Sequence, residues 1–264
     1  MIENIRLAFQ GIWSHMMRSF LTMLGIIIGI ASIIAIVSTI KGTSEQIKED
    51  LIGAGSNTVN IYLYDGDNKY DTDYGSSSSA TPILSDDVKE SVRDLDHVEN
   101  ATFFYSSTSA NIYNNNNSLQ GGSVYGIDVN YLNTCGYVVQ SGRGFVTNDY
   151  KDYSKVALID DNAAQNLFPS ENPVGKTVEI NEEPYTVVGV IRQDENYQPT
   201  ISDINEYYQY MENMVGSVMI PDTCWPISFK FDVPQNAVIK ADSTDTMSTA
   251  GNAAADAMNE AIPV

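Results

Sequence analysis

An unbroken apolar stretch, FLTMLGIIIGIASIIAIVSTI at residues 20–40, makes the first division of the chain: twenty-one positions without a charged side chain. At a helical rise of ~1.5 Å per residue it covers roughly 31 Å, about the hydrocarbon thickness of a bilayer. A helix satisfies its own backbone groups without water, so the pattern predicts a transmembrane helix. Upstream, Ile5, Phe9, Ile12, Trp13 and Met16 recur at helical spacing, with Arg6, Gln10 and Ser14 elsewhere on the wheel. That periodicity predicts an amphipathic helix in the inner headgroup layer with Trp13 at the interface; the first turns of a longer spanning helix would show the same spacing. Within the span, Thr22, Gly25, Gly29 and Ser32 line one stripe, and Gly25 and Gly29 form a G-x-x-x-G. Lipid solvates Ile as well as a neighbouring helix does, so association relies on close backbone approach, which small residues permit. The stripe is expected to pack on another helix, of this chain or of a second copy.

Beyond the span the periods change. Ile47 and Leu51 extend the helix, residues 53–57 (GAGSN) break it, and 58–64 alternate as a strand. Residues 65–81 are polar and Gly/Ser-rich, a flexible loop by composition. Its Asp65, Asp67, Asp71 and Asp73 fit a calcium loop poorly, because Lys69 and Tyr70 stand where a ligand and a glycine belong. Ser85 is placed to cap a helix over 86–95, with Asp86 and Asp87 in its first turn. Strands are expected at 98–106, 111–113, 118–127, 156–159, 178–180, 185–191, 218–221 and 237–241, with helices around 163–168 and 246–262. The 111–113 and 118–127 strands are read as a pair across Asn114 to Asn117. Strand, helix, strand, strand in that order implies an α+β layer with helices on a sheet.

Between Arg192 and Ser217 lies a 24-residue insertion. Ile204, Tyr207, Tyr208, Met211 and Val215 recur in it at helical spacing, and Asp203 with Glu206 resembles a capping box. Packing on its own domain accounts for that face. Tyr207, Tyr208 and Met211 would alternatively offer a partner surface, since aromatic and Met side chains are enriched there.

Charge sets the topology. Arg6 and Arg18 against Glu3 leave residues 1–40 at +1, so residues 41–264 carry −21 of the total −20. Basic residues before the span predict a cytoplasmic N-terminus and an extracytoplasmic remainder, with the chain in the cell membrane. The span is longer than a signal-peptide core and Ser38-Thr39-Ile40-Lys41 is a poor cleavage context, which favours a retained anchor. An acidic exterior excludes nucleic acid as a partner, because phosphates need Lys and Arg. Cys135 and Cys224 are too few for a disulfide scaffold; outside the membrane they either pair or remain two thiols.

Several stretches carry a resemblance. Glu3-Asn4-Ile5-Arg6-Leu7-Ala8 and the run from Arg18 to Ser32 resemble the opening of MacB-type ABC transporter permeases of the FtsX-like superfamily. Gly142-Arg143-Gly144-Phe145, followed by Asp149, resembles the family's G-R-x-F-T-x-x-D, with Val146 as an extra residue. Asn172-Pro173-Val174-Gly175-Lys176-Thr177, followed by V-x-I and Y-T-V-V-G-V, is close to a signature of its extracytoplasmic domains. The resemblance implies an α+β fold: an interfacial and transmembrane helix (1–41), then a two-lobed extracytoplasmic domain of mixed sheets with packed helices. Residues 42–127 would open a membrane-proximal lobe, 128–217 form an inserted lobe, and 218–264 return to the first. It further implies a cytoplasmic ABC ATPase on a separate chain and a second permease copy or paralogue. Membrane lipid and a peptide, lipoprotein or drug substrate complete the implied partners. Ending at Pro263-Val264 resembles a cut before membrane re-entry.

Catalytic material is sparse. The chain has two histidines, His15 and His97, and no H-E-x-x-H, C-x-x-C or G-x-S-x-G. No catalytic residue, metal or cofactor is expected. Gly175-Lys176-Thr177 ends like a phosphate-binding loop, but Ser170 stands where its first glycine belongs and a hairpin follows instead of a helix. Asn172, Pro173 and Gly175 read as turn chemistry. Two other functional classes stay open: a single-pass anchored receptor or adhesion module, and a regulator of a cell-wall hydrolase.

Overall fold

The structure, a computed structural model, describes residues 16–52, 57–65, 68–69, 84–194, 215–230 and 235–261. Helix α1 (Met16–Ile52) carries the apolar stretch, and Phe20–Ile40 is long and apolar enough to cross a membrane. Its side chains from 20 to 40 are exposed throughout. Hydroxyls within it are satisfied locally: Ser32 Oγ donates to Ile28 O at 2.7 Å and Thr39 Oγ1 to Ala35 O at 2.8 Å. Such back-bonding removes the cost of a free hydroxyl in lipid. Ile5, Phe9, Ile12 and Trp13 lie outside the described residues, and Met16 opens α1. The chain divides into two units, 1–51 and 52–264.

In the second unit the described strands are β1 (Thr58–Ile61), β2 (Tyr64–Asp65), β3 (Asn68–Lys69), β4 (Val98–Ser107), β5 (Ile112–Asn114), β6 (Asn117–Ser118) and β7 (Ser123–Ile127). They continue as β8 (Tyr137–Gly142), β9 (Val156–Asp160), β10 (Thr177–Ile180), β11 (Glu183–Gln193), β12 (Ser217–Pro221) and β13 (Asn236–Ala241). Helices are α2 (Asp86–Arg93), α3 (Tyr131–Thr134), α4 (Thr147–Lys151), α5 (Asp161–Leu167), α6 (Trp225–Ser228) and α7 (Met247–Glu260). Among the described residues, eleven strands make one sheet in the order β1-β13-β4-β7-β12-β9-β11-β10-β5-β6, with β8 also on β11. β7 with β12 and β9 with β11 are parallel and the other pairs antiparallel. A parallel pair needs a crossover, which α5 provides between β9 and β11.

Alternation along the strands sorts the core into three clusters. Ala101 and Phe103 meet Val92 of α2 and Ala250, Ala254 and Met258 of α7. Tyr105, two residues on and so on the same face, joins Val124, Ile159, Leu167, Tyr185, Val218 and Trp225. Phe104 points the other way, to Tyr125, Tyr131, Leu158, Met219 and Val238. Two cores thus lie side by side on one face of a continuous sheet, and a third backs both.

Local signals account for much of this. Ser85 Oγ accepts from Val88 N, capping α2 as its position predicted. The small residues of α7 allow a close seat on the sheet: a Cβ on Gly251 would stand 2.9 Å from Val59 Cγ1. Strand β8, the β2–β3 pair and the short helices α3, α4 and α6 were not expected from the sequence, and two further differences concern the β5–β7 region. The run 118–127 is not one strand: Gly121, at φ +74°, turns the chain, so β6 stays with β5 while β7 enters the centre between β4 and β12. The β5–β6 hairpin, read with the first lobe, pairs through Tyr113 and Ile112 with Glu179 and Ile180 of β10. Cys135 and Cys224 are both buried thiols in clusters on opposite faces of the sheet, so no disulfide joins them.

Candidate functional site

The family-like motif following β8 forms a brace. Gly142 takes φ +77°, and a Cβ there would stand 2.2 Å from Val188 O, so only glycine lets this backbone lie against β11. Arg143 N donates to Val188 O at 2.9 Å, fixing the next residue on the same strand. The Arg143 side chain then forks onto Asp149 of α4, with Nη1 to Oδ2 at 2.6 Å and Nη2 to Oδ1 at 3.1 Å. Val146 N donates to the same Oδ2 at 2.9 Å, which fastens the start of α4. Asp149 is 5 % exposed, and the bond from Arg143 holds its carboxyl below the usual range despite burial. Phe145 meets Tyr150 edge-on at 6.0 Å. Burial pushes the Tyr150 hydroxyl far up, with the charge of Asp222 next in weight.

The Asn172–Lys176 loop is a hydrogen-bonded turn. Val174 N donates to Asn172 Oδ1 at 3.1 Å, Lys176 N to Pro173 O at 2.9 Å, and Gly175 N to Val187 O at 2.7 Å. Lys176 Nζ lies 3.1 Å from Glu171 on the surface. With these amides directed at protein acceptors, the loop offers no cradle for phosphate. Gly175, at φ +84°, permits the reversal into β10.

A second hub was not legible in the sequence. Asp128, at the end of β7, accepts from Arg93 Nη2 of α2 at 3.2 Å, from Phe103 N at 3.1 Å, from Asn130 N at 3.0 Å and from Thr102 Oγ1. It joins α2, β4 and β7. Arg93 and Lys89 also lie over the Phe103 ring, at 5.4 and 5.9 Å from its centroid. The Asp-x-Asn spacing of an Asx turn at 128–130 is the one local signal for this hub. Nearby Asp222, just past β12, has its carboxyl raised to about 6 by burial, with Asp128 adding to the shift.

His97 Nδ1 lies 3.0 Å from Asp242 Oδ2, and Thr246 Oγ1 bonds the other oxygen of Asp242. The carboxylate therefore sits between hydroxyl and imidazole, the wrong order for activating a nucleophile. Among the described residues no group of His, Cys, Asp and Glu is arranged to hold a metal. Tyr207, Tyr208 and Met211 lie outside the described residues. Thr22, Gly25, Gly29 and Ser32 all lie on α1, and nothing within 4 Å would obstruct a Cβ at either glycine.

Residues 19–257 match the family model of the MacB-like periplasmic core domain. The chain belongs to that family. It is 35 % identical over 264 residues to the uncharacterized ABC transporter permease YvrN of Bacillus subtilis (strain 168), covering 99 % of this chain and 62 % of that protein. It is 36 % identical over 197 residues to the macrolide export ATP-binding/permease protein MacB of Neisseria gonorrhoeae, covering 74 % of this chain and 29 % of that one. Thus the chain spans about three fifths of the length of YvrN and less than a third of that MacB. Among solved structures, the periplasmic region of MacB from Actinobacillus actinomycetemcomitans matches with TM-score 0.57 and 21 % identity over 82 % of this chain and 89 % of that one. The extracellular domain of the ABC-type transporter YknZ from Gram-positive bacteria matches with TM-score 0.55 and 18 % identity, over 77 % and 94 % respectively. The MacB-like fold therefore accounts for the mixed sheet with packed helices following an apolar helix.

Proposed function

We propose that this protein is a permease component of a MacB-type ABC transporter, working with an ABC ATPase on a separate chain. The observation carrying the reading is that one family match runs from inside the apolar helix, at residue 19, through to residue 257 in α7. Span and outer domain are thus inherited together, as in relatives named permeases. The N-terminus is cytoplasmic and the acidic unit extracytoplasmic, in keeping with Arg6 and Arg18 ahead of the span. Two copies, or this chain and a paralogue, meet in the membrane along Thr22, Gly25, Gly29 and Ser32. The interfacial helix bearing Ile5, Phe9, Ile12 and Trp13 lies beside the ATPase. ATP-driven movement of the spans displaces the outer domain, whose two lobes act as a rigid lever on a peptide, lipoprotein or drug substrate. The Arg143–Asp149 brace and the Asn172–Lys176 turn stiffen the inserted lobe. Tyr207, Tyr208 and Met211 contact a partner.

The test is reconstitution of the full-length protein in vesicles with candidate ABC ATPases from the same organism. One of them is expected to bind it and to hydrolyse ATP faster in its presence, while cysteine probes beyond residue 41 label from outside. Labelling from inside only, or no ATPase that responds, would overturn the reading. Deleting 196–214 should leave the fold intact and reduce transport; unchanged transport would remove the Tyr/Met surface from the proposal.

A further inference from the structure

Asp160 closes β9 and opens α5, and its two oxygens serve different segments. Oδ1 accepts from Ala163 N at 2.7 Å, within the first turn of α5. Oδ2 accepts from Ser217 N at 2.8 Å, at the first residue of β12, and the Ser217 hydroxyl also bonds this carboxylate. The same corner is held by Asn166 Nδ2 on Val215 O at 3.1 Å and by Ser123 N on Gly216 O at 3.1 Å. Gly216 has φ +127°, and a Cβ there would stand 2.6 Å from Ala163 N. The chain therefore re-enters the sheet under close constraint, and Asp160 ties β12 to α5.

The surroundings make this carboxylate costly to ionise. Burial is the main cause and the neighbouring Asp161 adds to it, raising the group to about 6 against the pull of the donors from Ala163 and Ser217. From β12 and the start of β7 come Ser217, Gly216 and Ser123, none of them charged. On β11 the register partner is Ile191, so Arg192 beside it points to the opposite face of the sheet.

We propose that Asp160 is a proton-operated latch: ionised, it holds the first residue of β12 to α5, and neutralised, it lets the Ser217 amide go. Chemistry assigns the proton to Oδ2. Ser217 brings to the carboxylate both its amide, on Oδ2, and a hydroxyl that can accept as well as donate, whereas the Ala163 amide on Oδ1 can only donate. The new O–H donates to Ser217 Oγ and the Ser217 amide loses its carboxylate partner, while the bond to Ala163 N survives. Proton uptake is favourable for the whole corner because it removes a buried charge, yet it opens a single strand-edge amide.

Amide NMR of the isotopically labelled full chain in nanodiscs, titrated from pH 8 to 4.5, tests this. The Ser217 amide should move upfield through one transition centred near 6, with Ala163 moving much less. In Asp160→Asn at neutral pH, the Ser217 amide should exchange with solvent roughly tenfold faster than in the wild type, as loss of one hydrogen bond predicts, and should no longer titrate. A Ser217 transition centred near the ordinary carboxylate value of ~4, or equal movement of both amides, overturns the latch. The wild-type titration decides the matter even if the Asn variant does not fold.

Discussion

Arg143 and Asp149 show why a short motif needs its residues at fixed spacing. A two-pronged guanidinium, anchored through its own amide to Val188, meets a carboxylate that is almost wholly buried six residues on. Removing the half-exposed Arg143 leaves Asp149 charged, with a backbone donor but no counterion. Arg143→Ala should therefore cost roughly 2–3 kcal/mol, less than for a fully buried pair because water reaches the vacated site. Arg143→Lys should recover only part of this, since an ammonium cannot make both bonds. Equal urea midpoints for wild type and Arg143→Ala would contradict the brace. Gly142→Ala combines a left-handed φ with a collision against Val188 O, and should destabilise by about 2 kcal/mol or more in the same measurement. The motif's residues stood out by resemblance because they are close in sequence, but their pairing appears only in the structure. Asp128 did not stand out, because its partners Arg93, Thr102 and Phe103 lie 25 to 35 residues away and are brought together only by the β4–β7 pairing.

At the scale of elements, strands announced by dense apolar runs were found where periodicity placed them, as at Val156–Asp160 and Ser217–Pro221. The error at 118–127 has a physical cause. Leu119, Val124 and Tyr125 keep the apolar density of one strand, while Gly121 and Gly122 carry the reversal that density hides. Sheet order was out of reach for a related reason: pairing β5 with β10 joins segments about 65 residues apart, which no local period records. The sheet also separates the cysteines. Cys135 lies against Tyr131 on one face, and Cys224 on the other donates to Ser154 O at 3.2 Å. Burial pushes the Cys135 thiol up strongly and raises the Cys224 thiol. Both should resist maleimide in the folded protein at pH 7 and react fully in urea. A mass shift to the disulfide form in non-reduced, folded protein would contradict the placement.

For the whole molecule, charge and burial act together on stability. The net charge of −20 makes compaction self-repelling at neutral pH, and acidification relieves it. Asp160 and Asp222 act in the same direction. Both have folded-state values of about 6, above the ordinary 3.8, so the folded protein binds protons more readily than the unfolded chain between these limits. Their contribution is complete below about pH 4 and lost as pH rises through 6, on the order of 1–3 kcal/mol each. Asp149 has the opposite sign. Its lowered value stabilises the fold above the ordinary carboxylate range, and that stability is lost as pH falls through the folded value. Melting temperature, followed through the buried Trp225, should thus rise from pH 8 to a maximum near pH 5 and fall below about 4. Replacing both Asp160 and Asp222 with Asn should flatten the rise between pH 8 and 5 and leave the acid limb in place. If the double variant keeps the full rise, surface repulsion alone accounts for it and the two buried carboxylates have no part in the profile.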